Sequence, residues 1–312
     1  MNELEVISLK RKMLSILISS MLFVNCFPKI TYSKDITNIS NKNSKNEFIK
    51  HHNNDKVKMP TIKKIYKNVL SNNKIQTNLS TKEYNWYFQP RSDNTPPDGP
   101  KETSQFISKY GCYYLGDTSK KILYLTFDEG YEAGYTAPIL DVLKKHNVKA
   151  AFFVVKPYIT SNPELIKRMV SDGHLVCNHS NHHPSMASIK DEEKFKKELS
   201  DVEEAFENIT QKKMAMYFRP PMGKYSELSL QYTKNYGYKT IFWSFAYMDW
   251  IKDNQPSHET AKKRIMQRTH NGGIMLLHAV SKTNAEILDN VITEWENQGY
   301  VLKSLDELPS KP

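Results

Sequence analysis

Ile122-Leu123-Tyr124-Leu125-Thr126-Phe127-Asp128-Glu129-Gly130 joins a short apolar run to two adjacent carboxylates and a glycine. A run of this length, closed by a turn residue, reads as a buried strand. Residues 150–155 form a second one, and between them residues 133–146 place Ile139, Leu140 and Leu143 on one side of a helix. The alternation continues, with strands at 175–177, 216–218, 240–244 and 274–277 and helices at 164–171, 191–209, 226–236, 258–270 and 285–298. Strands separated by helices of this length pair in parallel through crossovers. About seven such units, with no Gly-rich nucleotide-binding turn, predict an α/β barrel over an open doubly wound sheet.

In a barrel the reactive groups stand at the C-terminal ends of the strands. Asp128 and Glu129 close the first strand in that position, although two acids there would also open the next helix as capping residues. The 175–177 strand leads into His179-Ser180-Asn181-His182-His183-Pro184. Taken as one helical turn stopped by Pro184, this segment projects His179 and His183 from one face, the spacing at which two imidazoles share a divalent metal. His182 falls off that face and stays outside the metal set. Two histidines and one carboxylate leave positions open for water and a substrate oxygen, as metal-assisted hydrolysis requires, whereas a structural metal would want a closed sphere. Arg219-Pro220-Pro221, Asp249-Trp250 and His278 also follow strands. Singly they read as a surface ion pair, a turn residue and a core histidine. Their shared position at strand ends makes them site candidates.

These five segments, 126–130, 179–183, 219–221, 249–250 and 276–278, resemble the ordered motifs of the polysaccharide deacetylases, the NodB-homology domain of carbohydrate esterase family 4. The resemblance covers residues 85–308. The fuller strings Thr126-Phe127-Asp128-Glu129-Gly130-Tyr131-Glu132, His179-Ser180-Asn181-His182-His183-Pro184-Ser185-Met186, Arg219-Pro220-Pro221-Met222-Gly223 and Leu276-Leu277-His278-Ala279-Val280-Ser281 are most similar to the sporulation N-acetylmuramic acid deacetylases, which initiate muramic δ-lactam formation in spore cortex peptidoglycan. The resemblance implies a deformed (β/α) barrel of about seven parallel strands that removes an N-acetyl group by metal-dependent hydrolysis.

Carried over by motif, Asp128 is the general base and His278 the general acid, Arg219 orients the base, and Asp249 tunes the acid by raising its pKa through opposing charge. His179 and His183 match the metal imidazoles of a divalent ion, expected to be Zn2+. The broad family has an Asp as carboxylate ligand where this chain has Glu129, one methylene longer. Glu129 either ligates from a shifted backbone or swings away, so weaker or differently selective metal binding is expected. Tyr131, Pro221, Trp250 and Leu276, within the same motifs, are expected to contact the glycan. The expected partners are peptidoglycan strands and, functionally, an amidase that first strips the peptide from muramic acid. Two other classes remain. A catalytically silent glycan-binding protein on the same fold would have lost Asp128 or His278, and both are present. A deacetylase of N-acetylglucosamine in peptidoglycan, chitin-like or exopolysaccharide glycans would share the whole catalytic set.

The chain has 312 residues and a formal net charge of +10. Of its 44 Lys+Arg, 15 lie in residues 1–82 with only 5 of the 34 Asp+Glu, which leaves 29 of each sign in residues 83–312. A neutral folded part with a basic lead excludes a nucleic-acid-binding fold, whose basic patch would lie on the folded unit. Lys10, Arg11 and Lys12 precede an apolar run at 13–27, so residues 1–33 read as an export signal or, uncleaved, as a signal anchor tethering the chain through residues 13–28. Either way the catalytic part is placed outside the cytoplasm, at the cell wall or spore cortex. Residues 34–82, rich in Asn, Lys, Ser and Thr, read as a disordered basic linker with one short helix near 62–70. Residues 83–312 form the deacetylase domain, opened by an aromatic arm at Trp86-Tyr87-Phe88. Cys112 and Cys177 read as buried thiols, with a disulfide between them left open.

Overall fold

The computed structural model describes residues 78–91 and 93–312. The export segment (1–33) and the linker through residue 77, with its short helix, lie outside the described residues. Among the described residues no helix is long and apolar enough to cross a membrane.

Eight strands form one all-parallel sheet: β2 (Cys112–Tyr113), β3 (Ile122–Glu129), β4 (Ala151–Val154), β5 (Leu175–Asn178), β6 (Ala215–Phe218), β8 (Lys239–Ile241), β9 (Gly273–His278) and β10 (Val301–Leu302). The order is β10-β3-β4-β5-β6-β8-β2, with β9 on the other side of β3. Beyond β8 the chain reaches β9, where Ser244 N–H donates to Ile274 O (3.0 Å) and Leu276 N–H to Phe245 O (2.9 Å). The sheet therefore curls into the expected deformed barrel. Its two-residue strands β2 and β10 carry too little pattern to be read from sequence.

Crossover helices α1 (Thr136–Lys145), α3 (Pro163–Ser171), α4 (Glu192–Thr210), α5 (Glu227–Tyr236), α6 (His258–Gln267) and α7 (Lys282–Asn297) match the six anticipated ones, and a further short helix, α2 (Lys156–Ser161), precedes α3. Helix starts follow local chemistry: Asp191 Oδ1 accepts from Lys194 N–H at 2.8 Å to open α4, and Ser226 and Ser229 form a reciprocal capping box on α5.

The two-residue period of β3 separates two cores. Leu123, Leu125 and Phe127 face the helices, packed with Ile139, Leu140 and Leu143 of α1 and Trp295 of α7. Tyr124 faces the barrel interior with Phe153, Cys177, Ile241 and Ile274. Full burial of each such side chain stabilises the fold by about 1.5–3 kcal/mol. Cys112 and Cys177 fall in different clusters, and both thiols are free and buried.

The segment before the barrel packs on it. β1 (Tyr84–Asn85) pairs antiparallel with β7 (Lys224–Tyr225), Trp86 is buried and stacks on Phe242 with ring centroids 4.3 Å apart, and its indole N–H donates to Trp243 O at 2.9 Å. Tyr87 is exposed. Ser80 O, within the stretch read as linker, accepts from Leu228 N–H of α5 at 3.1 Å.

Candidate active site

The register of β3 and β9 sets Asp128 directly beside His278, at the rim where all the parallel strands end. The β3 alternation that turns Tyr124 inward also turns Thr126 and Asp128 inward. Arg219, following β6, reaches across to them: its guanidinium is fully buried, Nη1 donating to Asp128 Oδ1 at 2.7 Å, Nη2 to Thr126 Oγ1 at 2.9 Å and Nε to Ile241 O at 3.1 Å. The face of Phe153 lies 4.1 Å from the guanidinium carbon. Burial works to raise the Asp128 pKa, but the charge of Arg219, backed by His179 and His278 and by the Arg219 hydrogen bond, outweighs it and holds the carboxyl below its ordinary value. Thr126 was legible from period two alone, one step of the pattern before Asp128.

His179 follows β5. Its Nδ1 lies 2.8 Å from Arg219 O. A carbonyl only accepts, so Nδ1 carries the proton and Nε2 keeps its lone pair, 3.6 Å from Asp128 Oδ2. The His183 ring stands 4.9 Å from that of His179. They do not meet through a helical turn, as the four-residue spacing suggested. Ser180 and His183 adopt left-handed backbone (φ 69° and 56°), and Ser180 Oγ accepts from His183 N–H at 2.9 Å, so a tight non-helical turn folds the two rings together. Burial pushes the His179 pKa down to about 4 and lowers that of His183, which keeps both imidazoles neutral and able to bind a cation. His182 lies outside this pair, exposed and 2.8 Å from Glu198 Oε1.

Asp249, fully buried in the loop after β8, holds His278 Nδ1 at 2.7 Å through Oδ1 and accepts His278 N–H at 2.9 Å through Oδ2. Burial alone would lower the His278 pKa, but the Asp249 charge and hydrogen bond overcome it, so the imidazole titrates above its ordinary 6.5.

Glu129 departs from its expected place. The period of β3 points it to the helix side, opposite Asp128, where it is fully buried and does not line the cleft. Neither of its oxygens has a hydrogen-bond partner among the described residues. Burial first, then the charges of Glu132 and Asp128, push its pKa well above the ordinary carboxylate value. No group of three or more His, Cys, Asp or Glu able to hold a metal forms among the described residues. The donors that the structure brings together are the imidazoles of His179 and His183, with Asp128 Oδ2 3.6 Å from His179 Nε2, and Glu129 stands apart from them.

Asp128, His179, His183 and His278 open into a cleft of about 690 Å³. Of the residues expected to contact glycan, Tyr131, Trp250 and Leu276 line it, with Tyr131 and Trp250 about half exposed. Pro221 is buried and does not line it; the turn it opens presents Met222 and Gly223 instead. Met222 has φ 59°, and a Cβ on Gly223 (φ +65°) would lie 2.9 Å from Trp243, so only glycine fits between the turn and that ring. Met222, Trp243, Tyr247 and Met248 also line the cleft but were not among the residues expected to contact glycan, since such side chains in loops carry no sequence signature of a groove.

The polysaccharide deacetylase family profile matches residues 115–241. The chain is 46% identical over 224 residues to the peptidoglycan-N-acetylmuramic acid deacetylase PdaA of Bacillus subtilis, covering 72% of this chain and 85% of that one. It is 35% identical over 191 residues to the peptidoglycan-N-acetylglucosamine deacetylase PgdA of Listeria monocytogenes, covering 61% of this chain and 39% of that one. The solved structure of B. subtilis PdaA, a family 4 carbohydrate esterase, superposes with a TM-score of 0.72 at 44% identity, covering 74% of this chain and 98% of that one.

Proposed function

The chain belongs to the polysaccharide deacetylases of carbohydrate esterase family 4, and from that premise we infer that it hydrolyses the N-acetyl group of N-acetylmuramic acid in peptidoglycan, initiating muramic δ-lactam formation in the spore cortex. The observation that carries this reading is the pair of dyads, Asp128–Arg219 and His278–Asp249, flanking two neutral histidines in one cleft, in a chain 46% identical to a muramic acid deacetylase.

Family 4 deacetylases are metal-dependent in general. Here His179, through Nε2, and His183 would hold the divalent ion, Zn2+ by their borderline donor character, and Arg219 O fixes the His179 tautomer that this needs. When bound, such an ion supplies Lewis acidity, polarising the acetamide carbonyl and lowering the pKa of water. Asp128 takes the proton of the attacking water. Arg219 keeps it ionised for that task and restrains Oδ1, leaving Oδ2 on the side of His179. An amine leaves only when protonated, so His278, held protonated by Asp249, delivers a proton from Nε2 to the departing nitrogen. Tyr131 and Trp250 present aromatic surface to pyranose rings, and Leu276 lines the floor.

An amidase that first removes the stem peptide is the functional partner. The enzyme acts outside the cytoplasm, with residues 13–28 serving either as a cleaved signal or as a tether. The test is acetate release by the full chain from peptide-free glycan strands. Release that stops on chelation and returns with added divalent metal supports the reading, and none from metal-loaded protein refutes it.

A further inference from the structure

We propose that Asn284, backed by Tyr247, is a positioning residue for the general acid: it fixes the Asp249 carboxylate, which in turn keeps His278 Nδ1 paired and Nε2 available to the cleft. The proposal rests on the deacetylase reading and adds to it two residues outside the five motifs.

Asn284 lies in the first turn of α7 and is buried. Its backbone N–H completes the helix cap by donating to Ser281 Oγ at 3.1 Å. Its side chain does no capping. Nδ2 donates to Asp249 Oδ2 at 2.6 Å and to His278 O at 3.2 Å, and Oδ1 accepts from the Tyr247 hydroxyl. Two acceptors on one side and a hydroxyl donor on the other leave a single orientation for the amide. Asp249 Oδ2 thus receives two donors, His278 N–H and Asn284 Nδ2, while Oδ1 is committed to the imidazole. A carboxylate with one oxygen pinned in this way cannot rotate off Nδ1, so the ring is held at one orientation.

The loop carrying Asp249 is tied to the same helix start. Gln255 Nε2 donates to Asp249 O (2.7 Å) and Ile251 O (2.8 Å), and Ser281 Oγ donates to Gln255 Oε1. The N-terminus of α7 therefore sets both the backbone and the carboxylate of Asp249. Tyr247, which lines the cleft, anchors the far end of the amide. A helix-stabilising residue at this position would need none of these side-chain contacts. Asn is a poor helix former there, and its amide nitrogen is spent on Asp249 and the His278 backbone while its oxygen accepts from Tyr247.

The experiment compares the full chain with Asn284→Ala, Asn284→Asp and Tyr247→Phe in steady-state deacetylation and in low-field proton NMR of the imidazole Nδ1–H, assigned by its loss in His278→Ala. The expected result is a fall in kcat of about tenfold to a hundredfold for Asn284→Ala, with KM within about twofold. Asn284→Asp, which removes the donor and sets a carboxylate against Asp249, falls at least as far, and Tyr247→Phe falls less. The Nδ1–H signal shifts or broadens in all three. Tyr247→Phe removes one hydroxyl from the far end of the chain, so it reports even if Asn284→Ala fails to fold. An unmoved Nδ1–H signal in the folded variants overturns the proposal, whether kcat holds or falls with the folded fraction. Because the NMR readout needs no substrate, a wild-type chain that deacetylates nothing, yet whose His278 signal responds to Asn284, overturns the functional reading and with it the general-acid role, while the positioning of the His278 imidazole by Asn284 stands.

Discussion

Arg219 and Asp128 form a buried ion pair, Nη1 to Oδ1 at 2.7 Å, with the guanidinium completely shielded from solvent. In the proposed mechanism the pair keeps the base ionised, and it is also a structural liability. Asp128→Asn keeps the volume but removes the base, and turnover should fall about a thousandfold. The change also leaves Arg219 buried without its counter-charge. Asp128→Ala, which removes the hydrogen bond as well, should cost about 3–5 kcal/mol of stability, with Asn losing less. Thermal unfolding and single-turnover assays on the two variants check both parts, and substantial residual turnover in folded Asp128→Asn removes the base assignment.

The Asp249 charge and hydrogen bond raise the His278 pKa against the opposing effect of burial. Activity needs the protonated form, so the alkaline limb of kcat should lie above 6.5 in the wild type. In Asp249→Asn burial prevails, and that limb should move to lower pH. The linked stability has a definite sign: a raised folded-state pKa contributes stability fully present below 6.5 and lost as pH rises through the folded value. A pH–rate profile of both proteins is the check, and an unmoved limb contradicts the pairing.

Glu129 sits on the helix side of β3, its pKa raised by burial. Glu129→Gln should leave divalent-metal affinity within about threefold, whereas His179→Ala and His183→Ala should each lower it by at least tenfold. A raised carboxyl pKa means stability lost as pH rises above the ordinary 4.5, so the Gln variant should also melt higher at neutral pH, by about 2 °C or more. Metal titration calorimetry decides, and a large loss of affinity in Glu129→Gln would return that residue to the ligand set.

Trp250 and Tyr131 meet the cleft with half-exposed rings, and the Trp250 ring lies 5.2 Å from that of His278. Their loss should remove binding more than chemistry. Alanine at either position should raise KM about threefold to tenfold with kcat little changed. A fall in kcat alone would place them in the chemical step instead.

The parallel architecture was legible because its strands are short apolar runs and its helices amphipathic, and most of the candidate site residues were legible because they follow a strand end, whereas Asp249 stands further on in the loop after β8. Asp128, His179, His183, Arg219, Asp249 and His278 all converge on one rim. Glu129 was misplaced because adjacency in sequence was allowed to stand for adjacency in space. In a strand, neighbours point to opposite faces, and Leu125 and Phe127 already marked the odd-numbered side as the helix side. The histidine turn was misjudged because i and i+4 spacing has more than one solution, and left-handed Ser180 and His183 supply another. Asn284 and the apolar cleft wall carry no local signature at all. Their roles exist only once α7 and the loop after β8 come together.

Mass spectrometry of glycan fragments tests the central claim most directly. The full chain, loaded with divalent metal, is incubated with peptide-free peptidoglycan strands and, separately, with chitin oligomers. Loss of one acetyl group from muramic acid residues, with chitin untouched, is the predicted result. Loss from N-acetylglucosamine alone, in either glycan, would contradict it and transfer the same machinery to the other sugar.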